Sequence, residues 1–434
     1  MFFNVLIFNW IDIWQNQPID ICIDPACHKF GCGRVPLSKT KALLLLANAP
    51  VKHVRMHLPF TSLATTITVI STNTSIKKLS FKLRLAGNCI NRKQAQKLLR
   101  TFSSVDIENT ITPVSQFTKL LAQDTFDQST SAALCSCKLT DLTIYGWPEY
   151  SIQVRGGVNI SSFEYCRRLL GFLGSSLESL QFLETSPLGL LGLLDQSCGR
   201  LKKLKIEGVQ MSSDLLKYKS DTLEDLCLLE TGVTLKGKLQ LPNLISMDLL
   251  DSDFDKWRNA QDVVQAVHAL PTSLVELRIK ISSEFTNELI SAIADHLFNL
   301  EVLRLKLIDC QNVLPNDIDP SSITALIDGC PSLQYLEVVD SLINFESTSF
   351  QLLAKFPCLT RIRLRYEDVY VDLLPQLLLE SNSIQDIEFF ESQDDIIAEL
   401  DEEHWYSMER KIALIEEQFP DVNVSLENVI SMED

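Results

Sequence analysis

One six-residue pattern constrains this chain more than any other feature: apolar-x-x-apolar-x-apolar, met thirteen times. The clearest copies carry Leu177, Leu180 and Phe182; Leu201, Leu204 and Ile206; Leu223, Leu226 and Leu228; Leu244, Met247 and Leu249. They continue with Leu274, Leu277 and Ile279; Leu300, Leu303 and Leu305; Leu333, Leu336 and Val338; Leu359, Ile362 and Leu364; and Ile384, Ile387 and Phe389. Earlier copies place Ile76, Leu79 and Phe81, then Leu139, Leu142 and Ile144, with looser versions at Val51, Val54 and Met56 and at Phe102, Val105 and Ile107. The last two apolar positions alternate with polar ones, the period of a strand buried on one side. A strand of this length cannot bury its apolar face alone. Copies recurring every 21 to 38 residues, about 25 in most cases, therefore predict strands stacked side by side as one array.

The intervening stretches carry the helical period. "NELISAIADHL" sets Leu289, Ile293 and Leu297 on one face, "RKQAQKLLRTF" does so with Ala95, Leu98 and Leu99, and "FEYCRRLLGFL" with Phe163, Cys166, Leu170 and Leu173. Eight positions after the first motif residue a hydroxyl recurs, at Thr110, Thr185, Thr231, Ser252, Ser282, Ser341 and Ser392, suited to bonding the backbone of a turn. The unit is strand, turn, helix, and parallel strands joined through helices make an α/β architecture.

These residues resemble the leucine-rich repeat superfamily, in its ribonuclease-inhibitor-like, cysteine-containing subclass. Cys198 stands three residues before Leu201, Cys330 three before Leu333, and Cys310 closes "NLEVLRLKLIDC". The likeness covers roughly residues 45 to 425. It implies an α/β horseshoe solenoid with an inner parallel sheet and outer helices. Residues 1–44 are then a cap or divergent first repeats, 45–400 the array, and 401–434 an acidic cap helix and last strand. Proteins similar to this are often F-box substrate receptors of ubiquitin ligases. The resemblance thus implies a receptor or adaptor meeting a cullin-ligase adaptor, or else a non-degradative scaffold or regulator of the inhibitor or GTPase-regulatory kind. The F-box pattern, an L-P-x-E-like helical segment ahead of the repeats, is not found before residue 45.

Alternation along each strand assigns the third, fifth and seventh motif positions to the concave surface. Arg361, Arg363 and Arg365 in "RIRLR" then share one face, although the chain carries a formal charge of −17. Arg278, Lys280, Arg304 and Lys306 fall on neighbouring strands, with Tyr335 between them and the arginine triplet, and Lys203 and Lys205 lie on an earlier strand. These ten residues are the expected partner-binding set. Arginine favours carboxylate and phosphate, so the expected ligand is a protein segment that is acidic or phosphorylated. The competing reading is that the cations fill exposed strand positions and are neutralised by Glu276, Glu337, Asp386 and Glu388 on adjacent strands.

The charge of −17 argues against general nucleic-acid or membrane-surface binding. No uninterrupted apolar run reaches the ~18 residues of a membrane span. The apolar opening "MFFNVLIFNWIDIW" has no basic residue before it and reads as an edge strand or cap. Twelve scattered cysteines suit reduced thiols in the cytoplasm or nucleus, where the sequons at Asn73, Asn159 and Asn423 would not be used. Cys22, Cys27, His28 and Cys32 are zinc-ligand types, but the C-x4-C spacing is loose and no second knuckle follows, so free thiols in a loop are the expected reading and no cofactor is expected. None of the six histidines, among them His268 and His296, sits in a catalytic frame, and no phosphate-binding glycine loop exists, so an enzyme is not expected. The segment from Asp386 to Trp405 has no Lys or Arg. It is either a solvated cap or a tail for a basic partner. After it, Met408, Ile412, Ile415 and Phe419 define a helix face, and Val422 and Val424 a final strand.

Overall fold

The computed structural model describes residues 19–22, 53–59, 78–84, 104–109, 140–145, 152–153, 159–160, 167, 170, 174–183, 189–207, 215–229, 237–249, 259–308, 317–339, 345–365, 368–390 and 402–427. They fall into two compact units, residues 1–209 and 210–434.

In the first unit β1 (Ile19–Cys22), β2 (His53–Pro59), β3 (Lys78–Arg84), β4 (Ser104–Asn109), β5 (Asp141–Tyr145), β8 (Ser179–Leu183) and β9 (Lys203–Glu207) form a parallel sheet in that order. A short antiparallel pair, β6 (Ile152–Gln153) and β7 (Asn159–Ile160), stands apart from it. Helix α1 (Leu190–Ser197) separates β8 from β9 and buries Leu190, Leu191, Leu193 and Leu194.

The second unit repeats the plan: β10 (Asp225–Leu229), β11 (Ser246–Leu249), β12 (Glu276–Ser282), β13 (Val302–Ile308), β14 (Tyr335–Val339), β15 (Arg361–Arg365), β16 (Asp386–Phe390) and β17 (Asn423–Glu427), all parallel and in chain order. Between them lie α2 (Ala260–Ala269), α3 (Thr286–His296), α4 (Pro320–Gly329), α5 (Ser347–Leu352), α6 (Asp368–Glu380) and α7 (Glu402–Gln418). All thirteen motif copies are strands, each beginning two residues after its first apolar position. Parallel strands joined in sequence order through helices, rung upon rung, are the α/β leucine-rich repeat fold.

The register follows from the apolar pattern. Leu277 is the Cα partner of Leu303, Leu303 of Leu336, Leu336 of Ile362, and Ile362 of Ile387. Slipping any strand by one residue would turn its leucines outward and its charges inward, so the pattern fixes the pairing. Leu277, Leu303, Ile387 and their neighbours Ile279, Leu305 and Phe389 are essentially inaccessible to solvent. Each buried side chain of this size is worth about 1.5–3 kcal/mol relative to exposure.

A repeated backbone device joins consecutive rungs. The carbonyl of Val275 accepts from the N–H groups of both Glu301 and Val302, at 2.8 and 3.0 Å. The carbonyl of Glu301 does the same for Gln334 and Tyr335, that of Gln334 for Thr360 and Arg361, and that of Thr360 for Gln385 and Asp386. Just before several of the strands, a turn bonds the first motif residue to the residue three before it, as Leu201 N–H to Cys198, Leu300 to Leu297 and Leu333 to Cys330. That explains the cysteine positions. Cys198 and Cys330 occupy helix C-caps facing the core, and the Cys330 thiol donates to the Leu297 carbonyl at 3.4 Å. Burial pushes both thiols up to about 12, so they stay protonated.

Side chains before the strands stitch neighbouring turns together. Asn299 donates to the Thr272 carbonyl, Ser273 to that of Leu244, and Ser383 to that of Phe356. The hydroxyl series expected after the strands lies outside the described residues except for Ser282, the last residue of β12. Among the described residues, Asn259 accepts from Asp262 N–H at 3.0 Å at the start of α2, and Asp319 accepts from Ser322 N–H at 2.7 Å at the start of α4, with Pro320 in its first turn. The predicted face of α3 is buried at Leu289, Ile293 and Leu297. In α7 Ile412 and Ile415 are buried, and Val424 of β17 is buried while Val422 is half-buried. The segment holding Ala95, Leu98 and Leu99 and most of the one around Phe163 lie outside the described residues, although Leu170 is buried.

Candidate partner-binding surface

Because leucines at the fourth and sixth motif positions are buried, the third, fifth and seventh face the other way, and in the second unit this open face collects the charges. In register, the third-position row runs Ser246, Glu276, Val302, Tyr335, Arg361, Asp386, Asn423. The fifth-position row reads Asp248, Arg278, Arg304, Glu337, Arg363, Glu388, Ser425. Lys280 and Lys306 are direct partners in the seventh-position row, and Arg365 is the partner of Phe390. On β11 to β16 these rows place seven cations (Arg278, Lys280, Arg304, Lys306, Arg361, Arg363, Arg365) against five carboxylates (Asp248, Glu276, Glu337, Asp386, Glu388). Over β11 to β16 the rows are net cationic in a chain of charge −17, while Asp225 on β10 and Glu427 on β17 bring the complete rows of the second unit to balance.

The centre is a bonded network. Glu337 is buried, and its carboxylate accepts from the Tyr335 hydroxyl at 2.8 Å and from Arg363 Nη1 at 3.1 Å, with Arg304 Nη1 at 3.4 Å. Glu388 takes Arg361 Nη2 at 2.7 Å and faces Arg363 Nε at 3.2 Å. Two guanidinium groups lie over the Tyr335 ring, Arg304 at 5.0 Å and Arg361 at 5.3 Å from its centroid, while Arg363 covers Phe390 at 5.5 Å. The hydrogen bond to Glu388 holds the Arg361 guanidinium above its ordinary range against the opposing effect of partial burial. Burial, then the adjacent Glu337 carboxylate, pushes the Tyr335 phenol well up, so it remains a hydrogen-bond donor. At the other end Arg278 bonds Glu276 at 2.7 Å and Asp248 at 3.4 Å; burial alone would lower its guanidinium, but the two carboxylates raise it.

The ten expected residues therefore divide by environment. Arg361 keeps 51% of its side chain exposed and Arg304 30%, whereas Arg363 keeps 10%. Arg363 faces the expected side but is enclosed by Glu337, Glu388 and Phe390, where it holds the network together. Arg278, Lys280, Tyr335 and Arg365 are half-buried and Lys306 is exposed. Lys203 and Lys205 lie on β9 of the first unit, exposed and half-buried, in register with Ser179 and Gln181. Two residues outside the expected binding set also shape this network: Phe390, which lies under Arg363, and Asp248, the second anchor of Arg278. The signal for both was their fifth- or seventh-position spacing from neighbouring arginines.

Among the described residues no cluster of His, Cys, Asp and Glu suits a metal ion, and no helix is long and apolar enough to cross a membrane. Cys27, His28 and Cys32 lie outside the described residues. His268 of α2 and His296 of α3 stack with centroids 5.0 Å apart, and the His296 Nε2 bonds the Leu270 carbonyl, a packing arrangement between successive helices.

No protein-family model matches the chain, and no curated protein sequence does. Among solved structures it is similar to one described as the complex of Rad7 and Elc1 in yeast, at 14% identity and a TM-score of 0.39, covering 90% of this chain and 89% of the other. It is also similar to the mouse RP105/MD-1 complex, at 16% identity and a TM-score of 0.44, covering 77% of this chain and 58% of the other. The fold assignment above rests on the chain's own strand registers.

Proposed function

We propose that this protein recognises another protein through the open sheet face of its second unit. One observation carries the reading: the arginines and tyrosine of β12 to β15 are held by carboxylates on rigid strands, so a partner meets groups already ordered. Ordering long side chains on binding costs about 0.5–1.5 kcal/mol each, and this network has removed most of that cost in advance. Tyr and Arg are also the side chains that dominate binding energy at interfaces. The partner segment is acidic or phosphorylated, to match the local excess of cations on β12 to β15.

The test is affinity purification of the wild-type chain beside Arg278→Glu/Lys280→Glu, which reverses charge at half-exposed positions, and beside Leu379→Arg, which alters an exposed residue of α6. Loss with the first variant and retention with the second is the expected result; the reverse pattern would refute it. A finer reading follows the resemblance to F-box leucine-rich repeat proteins: the captured protein is handed to a ubiquitin ligase in the cytoplasm or nucleus. Copurification of a cullin adaptor supports that role, and its consistent absence favours a non-degradative scaffold or regulator.

A further inference from the structure

We infer that Arg304, Tyr335 and Arg361 form a discrete anion subsite, a clamp that takes one carboxylate or phosphate group of an acidic peptide. The inference rests on the reading of this face as a recognition surface and narrows it to one spot and one chemistry.

Three features converge there. The two guanidinium groups lie over a single phenol ring at 5.0 and 5.3 Å from its centroid, so cation–π attraction holds each as well as charge. Each is also anchored from beneath, Arg304 by Glu337 and Arg361 by Glu388. A guanidinium carries five N–H donors, and one carboxylate contact apiece leaves donors over for a ligand. Arg361 in particular is half exposed, whereas its anchor Glu388 keeps only 14% exposure. Positive groups stand toward solvent and their counter-charges stand below.

The local balance favours an anion as well. Glu337 and Glu388 between them serve Arg304, Arg361 and Arg363, so two carboxylates hold three guanidinium groups. Asp386 is the remaining acid beside Arg361, and Asn423 donates to it at 3.2 Å. Lys306 stands two positions along β13 from Arg304 and adds a further exposed cation on the same face. Tyr335 holds the phenol proton toward Glu337, so the ring presents its face to the arginines and its hydroxyl does not oppose the anion. A planar fork pair suits bidentate capture of carboxylate or phosphate, which a point-charge ammonium does not reproduce.

The experiment uses the purified full-length chain and two fluorescent synthetic peptides, an oligo-glutamate and a phosphoserine-containing peptide of equal charge, followed by fluorescence anisotropy at low and moderate salt. The clamp predicts saturable binding of at least one peptide, and the preferred peptide identifies carboxylate or phosphate as the source of the anion. Arg304→Gln/Arg361→Gln weakens that binding by about tenfold or more, and Tyr335→Leu weakens it with the charge unchanged. Arg304→Lys/Arg361→Lys keeps the charge but loses the fork, and recovers only part of the affinity. Arg200→Gln/Lys202→Gln, which removes two cations from the first unit, leaves it unchanged. Thermal melting of each variant confirms folding. Equal loss in both Gln pairs, or full affinity in the Lys pair, would mean general charge attraction and overturn the clamp. A chain that captures a cellular partner through this face yet binds neither peptide keeps the recognition function and loses the anion subsite.

Discussion

Arg363 Nη1 lies 3.1 Å from Glu337 Oε1, on the adjacent strand, with each side chain no more than 10% exposed. An ion pair so placed has surrendered its hydration, and it is held by hydrogen bonds to Tyr335 and by Glu388 on the far side. Removing one partner leaves the other charge buried and uncompensated. Glu337→Gln is therefore expected to destabilise the second unit by about 3–5 kcal/mol in urea denaturation, while Glu337→Leu/Arg363→Met together costs much less than the single change. A single substitution as mild as the double would show that the pair is not enclosed.

Close approach of successive helices predicts a glycine effect with a built-in control. A Cβ added at Gly329 would come within 2.2 Å of the Ala294 carbonyl oxygen, a backbone atom of α3, whereas one added at Gly192 meets nothing within 4 Å. Gly329→Ala should lower stability by about 1–3 kcal/mol through overpacking. Gly192→Ala, at an exposed position of α1, should raise it by up to about 1 kcal/mol through helix propensity. Thermal melting of the two variants reads both signs.

The cap of α4 gives a pH effect. Burial by itself would raise the Asp319 carboxyl, but hydrogen bonds from the backbone and hydroxyl of Ser322 and Ser321 dominate and hold it below the usual aspartate range. A depressed carboxyl contributes stability above its unfolded pKa and loses it as pH falls through the folded one, so the contribution disappears in acid below about pH 4. Asp319→Ala should cost about 1 kcal/mol at neutral pH and progressively less as the solution is acidified. Denaturant titrations across that range check the slope; a constant penalty at all pH values would contradict it.

Thiol chemistry separates the described cysteines. Cys358 is exposed, and Cys198 and Cys330 are buried with pKa values pushed up to about 12. An alkylating reagent should modify Cys358 rapidly in the folded chain and leave Cys198 and Cys330 intact until denaturant is added, as mass spectrometry of peptides would show. Because both folded pKa values are raised, their contribution is complete below the unfolded value near 8.5 and declines as pH climbs toward 12.

The strand ladder was readable in advance because a period of two with leucines at fixed places admits one register; Leu277, Leu303 and Leu336 could not sit elsewhere without exposing their rungs. The direction of Arg361, Arg363 and Arg365 followed from the same alternation. Which of them is enclosed did not, because that depends on Glu337 and Glu388, which are 26 and 25 residues away from Arg363 and become neighbours only once β14 and β16 flank β15. The glutamates were candidate neutralisers from their row positions, and Glu276, Glu337 and Glu388 do contact arginines. β1 at Ile19–Cys22 carried no motif, so its place beside β2 had no local signal. The stitching by Ser273, Asn299 and Ser383 was hidden for another reason: a short polar side chain before a strand is compatible with many turns, and its acceptor carbonyl belongs to the preceding repeat.

Everything proposed for the open face depends on residues of equal motif position standing in one row, rung after rung. Spin labels introduced through unnatural amino acids at Ser246 and Asn423, the two ends of the third-position row in the second unit, measure that directly by pulsed electron resonance. Six strand spacings of about 4.8 Å predict a single distance near 29 Å, broadened by the labels. A distance beyond about 40 Å, or no defined distance at all, would mean that the rungs do not stack as described and that the face they build does not exist.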